Sequence, residues 1–207
     1  LTSYIKRDTY VGNDVAQSNN YVFAIAPFST LTKSIQIIRM NKASKSVTKL
    51  TYTLPTTDFF GNTLSMFSAI YPSSICVGPE GVICICLRNL QGFYANIGPV
   101  VFIISKDNGA TWVTIHTNRS QGLFQHISNE YVYMPISDTI TEYGYGYLKC
   151  SSDSMFIAKI RLSDMHIEYI SMGEATWPGL AHSYSYAECN VSVYHLNGKL
   201  YLWGECT

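Results

Sequence analysis

Short apolar segments, interrupted by turn residues, run along the whole chain. Apolar and polar residues alternate with a period of two in many of them, and helical periodicity is nearly absent. Alternation of this kind is typical of strands with one buried face. Four segments place a turn pair before an apolar strand: Asn19-Asn20 before 21–25, Glu80-Gly81 before 82–87, Asn129-Glu130 before 131–134, and Asn197-Gly198 before 199–203. The pattern predicts an all-β fold.

The first three of these units are each followed by a second hairpin. Residues 34–40 turn into 47–52, residues 100–104 into 113–115, and residues 155–162 into 166–170. The unit strands start 61, 49 and 68 residues apart. An inner hairpin followed by an outer hairpin makes a four-stranded antiparallel blade, and these intervals suit propeller blades with long loops. Residues 1–207 are therefore predicted to form a single propeller-like domain.

The fourth unit has no outer hairpin, which leaves two interpretations open. Residues 1–20 could supply its missing strands, or the chain could be a fragment of a longer propeller. The chain begins with Leu1 and not with Met, which is compatible with a fragment. A β-sandwich is the alternative fold, because the repeat intervals are irregular.

An octapeptide at residues 105–112 lies between two apolar runs. It has the pattern Ser-x-Asp-x-Gly-x-Thr-Trp, carried by Ser105, Asp107, Gly109, Thr111 and Trp112. Aspartate can accept hydrogen bonds from nearby backbone N–H groups, and glycine tolerates a positive φ, so the pattern suits a hairpin turn. It closely resembles the Asp-box, or bacterial neuraminidase repeat, of sialidases and related β-propellers. The resemblance implies a propeller hairpin with a structural role, not a catalytic one.

The sialidase resemblance also implies a catalytic set that this chain does not supply. Sialidases hold the substrate carboxylate with three arginines and use a tyrosine nucleophile, a glutamate and an aspartate acid/base. The chain has five arginines, none in the expected Arg-Ile-Pro signature. An ordinary glycosidase needs two carboxyl groups beside the scissile bond. The sequence cannot pair any of the loop candidates Asp58, Glu80, Asp138, Glu142, Glu174 and Glu188. Catalytic residues therefore stay unassigned, and whether the chain is an enzyme stays open; a catalytic chain would be a sialidase-like glycosidase.

The amino-acid composition limits the kinds of partner that the protein is expected to bind. Charged residues make up 14% of the chain, against about 25% in a typical domain. Fourteen basic residues balance 14 acidic ones, so no net field attracts nucleic acid or an acidic membrane surface. No apolar run approaches the roughly 20 residues that span a bilayer. The 16 tyrosines, with many Ser, Thr and Asn, suit neutral polar ligands such as sugars, although tyrosine is also a favourable strand residue.

Aromatic segments supply the candidate ligand-binding residues. Three tyrosines alternate with glycine at 143–147, and an alternating segment at 182–188 follows a tryptophan. If these segments are extended, every second side chain lies on one face. Such faces offer rings for stacking and polar groups for hydrogen bonds. The candidates are Tyr143, Tyr145, Tyr147, Trp177, His182, Tyr184, Tyr186 and Glu188, together with Arg88 in a predicted loop at 88–96 that suits a carboxylate. Packing between blades is the alternative explanation for these rings.

The six cysteines do not have zinc-binding spacing. Cys84 and Cys86 share one face of a strand and are predicted to lie in the core, with Cys76 on the neighbouring strand. A two-residue type I′ turn at Asn197-Gly198 would pair residues whose numbers sum to 395, and Cys189 and Cys206 satisfy that sum. The sequence thus predicts a cross-strand Cys189–Cys206 pair whose oxidation state is open. We expect no metal and no cofactor.

The function favoured by the sequence is recognition without catalysis. The neutral, β-rich, Tyr-, Ser-, Asn- and Thr-rich composition resembles that of viral and phage attachment proteins, which suggests a glycan or cell-surface receptor as partner. Such a domain would be extracellular or on a virion surface, as a homo-oligomer or part of a larger virion assembly. A glycoside hydrolase of sialidase or endosialidase type and a structural assembly domain are the two alternatives.

Overall fold

The computed structural model describes the chain in eleven ranges: 15–26, 33–64, 70–78, 80–89, 100–117, 120–121, 126–137, 140–143, 147–150, 154–174 and 190–205. These ranges hold strands and turns and no helix. The all-β prediction is therefore confirmed for the described part of the chain.

Three antiparallel sheets follow one another along the chain. The first sheet joins β1 (Val15–Gln17), β2 (Tyr21–Ile25), β3 (Ser34–Asn41) and β4 (Val47–Thr53) in chain order. The second joins β5 (Ile70–Val77), β6 (Ile83–Asn89), β7 (Val100–Ser105) and β8 (Val113–His116). The third has the order β10 (His126–Ile127), β11 (Tyr131–Ser137), β14 (Ser154–Arg161) and β15 (Ile167–Glu174), with the short β9 (Ser120–Gln121) also paired to β11.

Two hairpins complete the described strands. The inserted hairpin, β12 (Ile140–Tyr143) and β13 (Tyr147–Cys150), lies between β11 and β14 in the chain. The last hairpin consists of β16 (Asn190–Leu196) and β17 (Lys199–Glu205). The predicted inner and outer hairpins of the first three units are all present, so the array of four-stranded antiparallel blades is confirmed. The inserted hairpin was not predicted.

The sheets stack in series, which excludes the two-sheet sandwich that was the alternative. Alternate residues of β6 show the arrangement most clearly. Ile83, Ile85 and Leu87 pack with the first sheet, while Cys84 and Cys86 pack with the third sheet. All five are completely buried. Both faces of the second sheet are covered, which explains why the sequence of β6 is a nearly continuous apolar run. Each fully buried aliphatic side chain contributes about 1.5–3 kcal/mol to the stability of the fold.

The first sheet contains part of residues 1–20, which were one of the two possible explanations for the missing strands of the fourth unit. Val15–Gln17 pairs with β2, with Val15 opposite Ala24. That explanation is therefore wrong for these residues, because the nearest strand along the chain supplies their hydrogen-bond partners. Residues 1–14 lie outside the described residues.

The first and third sheets are built alike. Ser18-Asn19-Asn20-Tyr21 and Ser128-Asn129-Glu130-Tyr131 form equivalent turns. In each, a serine Oγ accepts a hydrogen bond from the tyrosine N–H, at 3.2 Å for Ser18 and 3.0 Å for Ser128. The turns after β3 and β14 also match, since Lys45 and Met165 both have positive φ, of 59° and 63°. The octapeptide forms the corresponding turn of the second sheet, after β7, and its structure differs from these two turns.

The octapeptide 105–112 is a rigid turn. Asp107 accepts hydrogen bonds from Ser105 Oγ and Thr111 N, both at 2.8 Å, and from Thr111 Oγ1 at 2.6 Å. Ser105 Oγ accepts from Gly109 N at 2.8 Å. Gly109 has a φ of +87°, and a Cβ placed there would lie 2.6 Å from Leu50 Cδ1 of the first sheet. The turn therefore requires glycine both for its backbone and for its neighbour.

The same octapeptide fastens the second sheet to the first. Trp112 packs edge-on against Tyr52 of β4, with ring centroids 6.0 Å apart. Arg39 of β3 donates from Nη1 to the Asn108 carbonyl oxygen at 2.9 Å, and its guanidinium lies 5.2 Å from the Tyr21 ring centroid. These contacts tie the octapeptide to the first sheet.

The last hairpin has the predicted register. Leu196 pairs with Lys199 and Asn190 with Glu205, so the sum of 395 holds for every described pair. Asn197 and Gly198 have φ of 50° and 74°, as a type I′ turn requires. Cys189 and Cys206 would be the next pair, but both lie outside the described residues, and their pairing stays a prediction.

Three cysteines of the second sheet lie in the core as thiols that form no disulfide. Cys84 and Cys86 are completely buried, and Cys76 lies directly opposite Cys84. The prediction for these three residues is confirmed. Burial raises the pKa of Cys76 to about 11 and that of Cys84 well above its usual range, so both thiols stay protonated at neutral pH.

Candidate ligand-binding groove

A row of side chains crosses the third sheet from its first strand to its last. The pairing register places His126 opposite Tyr133, Tyr133 opposite Lys159, and Lys159 opposite Glu168. Directly opposed residues in an antiparallel sheet lie on the same face. Four strands thus bring an imidazole, a phenol, an ammonium and a carboxylate into one line, on the face turned away from the second sheet.

Two tyrosines of β11 lie side by side on this face. The ring centroids of Tyr131 and Tyr133 are 6.0 Å apart, and His126 stacks on Tyr133 with centroids 6.4 Å apart at an interplanar angle of 27°. Tyr133 is only 4% exposed, whereas Tyr131 and His126 are half-buried. The row therefore presents a buried aromatic base with partly exposed rings beside it.

The charged members of the row are paired with each other. Lys159 Nζ lies 3.1 Å from Glu168 Oε2 and 4.5 Å from the centroid of the Tyr131 ring. The hydrogen bond to Glu168 is the main cause that raises the pKa of Lys159. Burial raises the pKa of Tyr133, opposed by the nearby charge of Lys159. At neutral pH the site thus holds an ion pair and a protonated phenol.

An open groove of about 750 Å³ lies over this face, between the third sheet and the last hairpin. Its lining comprises His126, Ile127, Ser128, Asn129, Glu130, Tyr131, Tyr133, Lys159, Ile170, Gly198 and Leu200. Leu200 also packs with Tyr133 and Ile157 in a small apolar cluster that joins the hairpin to the sheet. The volume is within the usual range for small-ligand sites.

The groove face of the third sheet is turned toward the last hairpin, and the corresponding face of the first sheet is turned toward the second sheet. That face of the first sheet has no such row. There Phe23 takes the place of Tyr133 and is completely buried against the second sheet. Tyr21 takes the place of Tyr131, at the same 6.0 Å from its neighbouring ring. The difference follows from what covers each face. Four strands cover the first sheet, whereas two described strands of the last hairpin lie against the third.

The residues predicted from the aromatic segments are not brought into this groove by the described structure. Tyr143 ends β12 and Tyr147 begins β13, and the two are opposed across this antiparallel pair, so the prediction that they lie along one extended segment is wrong. Arg88 belongs to strand β6, not to a loop. Tyr145, Trp177, His182, Tyr184, Tyr186 and Glu188 lie outside the described residues. Their ligand-binding role stays a prediction.

Asp58, one of the loop carboxylates considered above, has a structural role. It is 6% exposed and accepts hydrogen bonds from the backbone N–H groups of Phe60, Asn62 and His116, at 3.0, 2.8 and 3.2 Å. Although burial opposes ionisation, these hydrogen bonds lower its pKa. Asp58 therefore holds a loop against the edge of β8 and is not available as an acid.

The groove residues were not singled out by the sequence. The signal was the alternation in Tyr131-Val132-Tyr133, which places both rings on one face of β11. The members of the row come from segments up to 42 residues apart, as the numbers of His126 and Glu168 show. Only the strand register could have joined them.

Comparison with known proteins bears on the fold of the chain. No family model and no curated protein matches the chain. Among solved structures, a bifunctional GH43-CE protein of Bacteroides eggerthii shares 15% identity and covers 94% of this chain, with a TM-score of 0.46. Two variants of an apocarotenoid oxygenase of Synechocystis share 10% and 11% identity over 90% of this chain, with TM-scores of 0.51 and 0.46. The fold is β-propeller-like.

The likeness is one of architecture and covers part of each neighbour. This chain matches 24% of the GH43-CE protein and 40% and 46% of the two oxygenase chains. The resemblance of the octapeptide to the Asp-box rests on its own residues. Within the eleven described ranges, no group of three or more His, Cys, Asp and Glu residues could hold a metal ion. In the same ranges, no helix is long and apolar enough to cross a membrane.

Proposed function

We propose that the chain is a recognition domain without catalytic activity that binds a neutral glycan in the groove of the third sheet. The observation that carries the proposal is the row from His126 to Glu168 beside the exposed part of Tyr131. Sugar rings have an apolar face that packs on aromatic rings and hydroxyl groups that bond to ionised and neutral polar groups. His126, Tyr133 and Lys159 of the row line the open groove together with Tyr131, so the groove offers both.

The charges of β14 favour a neutral sugar over an acidic one. Lys159 is paired with Glu168, and Arg161 Nε donates to Asp164 Oδ1 at 2.9 Å. Neither cation offers uncompensated positive charge to a ligand carboxylate. The paired carboxylate of Glu168 can still accept a hydroxyl hydrogen bond, because a carboxylate has about four acceptor positions.

The lack of catalysis is part of the proposal. A glycosidase needs one carboxyl group to donate a proton and a second to act as base or nucleophile. Among the described residues that line the groove, Glu130 alone has a carboxyl group, and Glu168 at the end of the row is paired with Lys159. We propose accordingly that the domain holds a glycan or a glycosylated cell-surface receptor outside the cell or on a virion surface.

A glycan array probed with the intact chain tests the proposal, read for both retention and cleavage of the sugars. We expect retention of neutral glycans without cleavage. Titration of the best glycan with Tyr131→Ala should then show at least a tenfold loss of affinity, about 1.4 kcal/mol. Tyr131→Phe should bind nearly as well, because it keeps the ring.

Tyr21→Ala is the matched control. Tyr21 has an equivalent turn, an equivalent ring neighbour in Phe23 and a cation over its ring, but it lies on the face of the first sheet that packs against the second sheet. It should bind as wild type. Cleavage of the sugars would replace the proposal with a glycosidase. Loss of binding in Tyr184→Ala/Tyr186→Ala but not in Tyr131→Ala would move the site away from the groove, and no binding at all would refute it.

A further inference from the structure

The charges of the chain are distributed unevenly along the sequence. Residues 15–57, which include the first sheet, contain five basic residues and no acidic residue. Residues 120–207 contain nine acidic residues and four basic ones. The net charge of zero therefore conceals a separation of charge, and a locally basic surface attracts an anionic partner even on a neutral chain.

Three of the five basic residues lie close together on the first sheet. Lys42 and Lys45 belong to the turn between β3 and β4, and Lys49 follows on β4, at most about 13 Å from Lys45 at a rise of about 3.3 Å per residue. Asn41 fixes the turn, because its Oδ1 accepts hydrogen bonds from two backbone N–H groups, both at 2.9 Å. We call Lys42, Lys45 and Lys49 the lysine edge.

The equivalent turn of the third sheet shows to which side the two turn lysines project. There Leu162 takes the position of Lys42, and its N–H donates to the turn before β11 as that of Lys42 donates to the turn before β2. Met165 takes the position of Lys45. Leu162 and Met165 are buried between the third sheet and the second sheet that precedes it. The corresponding face of the first sheet is the one turned away from the second sheet.

Lys49 lies on the same face as the turn lysines. Its neighbour Leu50 packs with the second sheet, so alternation along β4 places Lys49 on the opposite face. Lys45 and Lys49 are exposed, and Lys42 is half-buried. The lysine edge thus presents three ammonium groups on one side of the first sheet.

The positive charges of the lysine edge are not compensated. Within the described ranges, none of its ammonium groups forms a hydrogen bond or an ion pair. In the equivalent turn of the third sheet, by contrast, Arg161 is paired with Asp164 at 2.9 Å. The turn does not need lysine for its backbone either, since Met165 adopts the same positive φ as Lys45. The fold therefore does not explain the lysines, whereas an anionic partner would.

We propose that the lysine edge binds a polyanionic polysaccharide, which carries sulfate or carboxylate groups at intervals along its chain. Ammonium groups spaced along a strand attract such a polymer and release its counterions. The exposed side chains among the lysines include the hydroxyl groups of Ser44, Ser46 and Thr48, which suit hydrogen bonds to sulfate and sugar oxygens. This site is separate from the groove of the third sheet and does not depend on the proposed binding of a neutral glycan there.

The same residues favour a polysaccharide over other polyanions. Residues 41–49 include no aromatic ring, whereas single-stranded nucleic acids bind mainly by stacking their bases on such rings. Three lysines are also fewer than the roughly 4–8 basic residues of a typical cluster that binds anionic lipids. An acidic polysaccharide needs neither feature.

Heparin-affinity chromatography and heparin titration of the intact chain test the proposal. We expect the wild type to be retained at low salt. Lys45→Gln/Lys49→Gln should bind heparin at least tenfold more weakly. Its plot of log affinity against log salt concentration should be shallower by roughly two units, about one for each charge removed, as for other polyanions. Thermal melting should stay unchanged, because both side chains are exposed and glutamine keeps most of each stem.

Two control variants separate this site from other effects. Lys33→Gln/Lys199→Gln removes the same charge at two other exposed lysines, outside the lysine edge, and should bind heparin nearly as well as wild type. Tyr131→Ala should also bind heparin as wild type, because it alters only the groove of the third sheet. The result for heparin is therefore independent of whether the groove binds a neutral glycan.

Three results with heparin would overturn the proposal: no retention of the wild type at low salt, equal losses in the two double variants, or loss of binding in Tyr131→Ala. Neutral dextran is the uncharged probe, and binding to it as strong as to heparin would also contradict the role of the lysines. Stronger binding to a single-stranded oligonucleotide, or to vesicles that contain phosphatidylserine, would replace the polysaccharide as the partner.

Discussion

Replacing Asp107 with asparagine should weaken the fold in a pH-dependent way. The carboxylate accepts three hydrogen bonds from Ser105 and Thr111 that hold the octapeptide turn. Although desolvation opposes ionisation, these bonds lower its pKa from the usual 3.8 to about 2. Asparagine keeps the shape and can keep neutral hydrogen bonds to Thr111, so the substitution removes mainly the charge.

The pKa of Asp107 sets how much its charge contributes to the stability of the fold and how that contribution changes with pH. Lowering the pKa from 3.8 to about 2 is equivalent to about 2.4 kcal/mol if fully expressed. Because Asp107 is exposed, solvent screening reduces this to about 1 kcal/mol. A carboxylate whose pKa is lower in the folded state adds stability above the unfolded pKa. That stability is lost as the pH falls through the folded value. The contribution is therefore complete above about pH 5 and disappears toward pH 2.

Urea unfolding of wild type and Asp107→Asn at pH 7, 4 and 3 measures this difference. At pH 7 the variant should be about 1 kcal/mol less stable, or about 2–4 °C lower in melting temperature for a domain of this size. The difference should shrink at pH 4 and again at pH 3. Asp164→Asn, at the exposed turn of the third sheet, is the control and should change less. Equal stability at pH 7, or a difference independent of pH, would refute the reasoning.

Three further predictions concern the core and the octapeptide. Gly109→Ala should cost about 1–3 kcal/mol in urea unfolding, because it forces a positive φ and a contact with Leu50. The double variant with Leu50→Ala should remove the steric part, and additive losses would contradict the contact. Phe102→Ala should cost about 3–5 kcal/mol, measured the same way, because Phe102 is completely buried; a loss below 1 kcal/mol would contradict that burial. In the native protein at pH 8, Cys76 and Cys84 should react with iodoacetamide far more slowly than in urea, as peptide mass spectrometry would show, because burial raises both pKa values. Equal rates in the two states would argue against it.

The structure also explains why some sequence patterns were informative and others were not. The turn at Asn197-Gly198 dictated its hairpin, because only a two-residue I′ turn matches those residues, and the register followed by counting. The alternation at 143–147 was misleading, because a glycine-rich segment can either continue as a strand or reverse direction. There Tyr143 and Tyr147 are paired between two antiparallel strands instead of lying along one strand.

The sequence by itself determined the inner and outer hairpins of the first three sheets and the order of the blades, though not the inserted hairpin, because these features depend on neighbours along the chain: alternation, turn residues and the hydrogen bonds of Asp107. Only the tertiary structure decided where a ligand could bind. Tyr21 and Tyr131 stand in nearly identical local sequences, yet one faces a complete sheet and the other faces a groove. Whether a sheet face is covered depends on which distant strands stack on it, and that information is not contained in any local pattern.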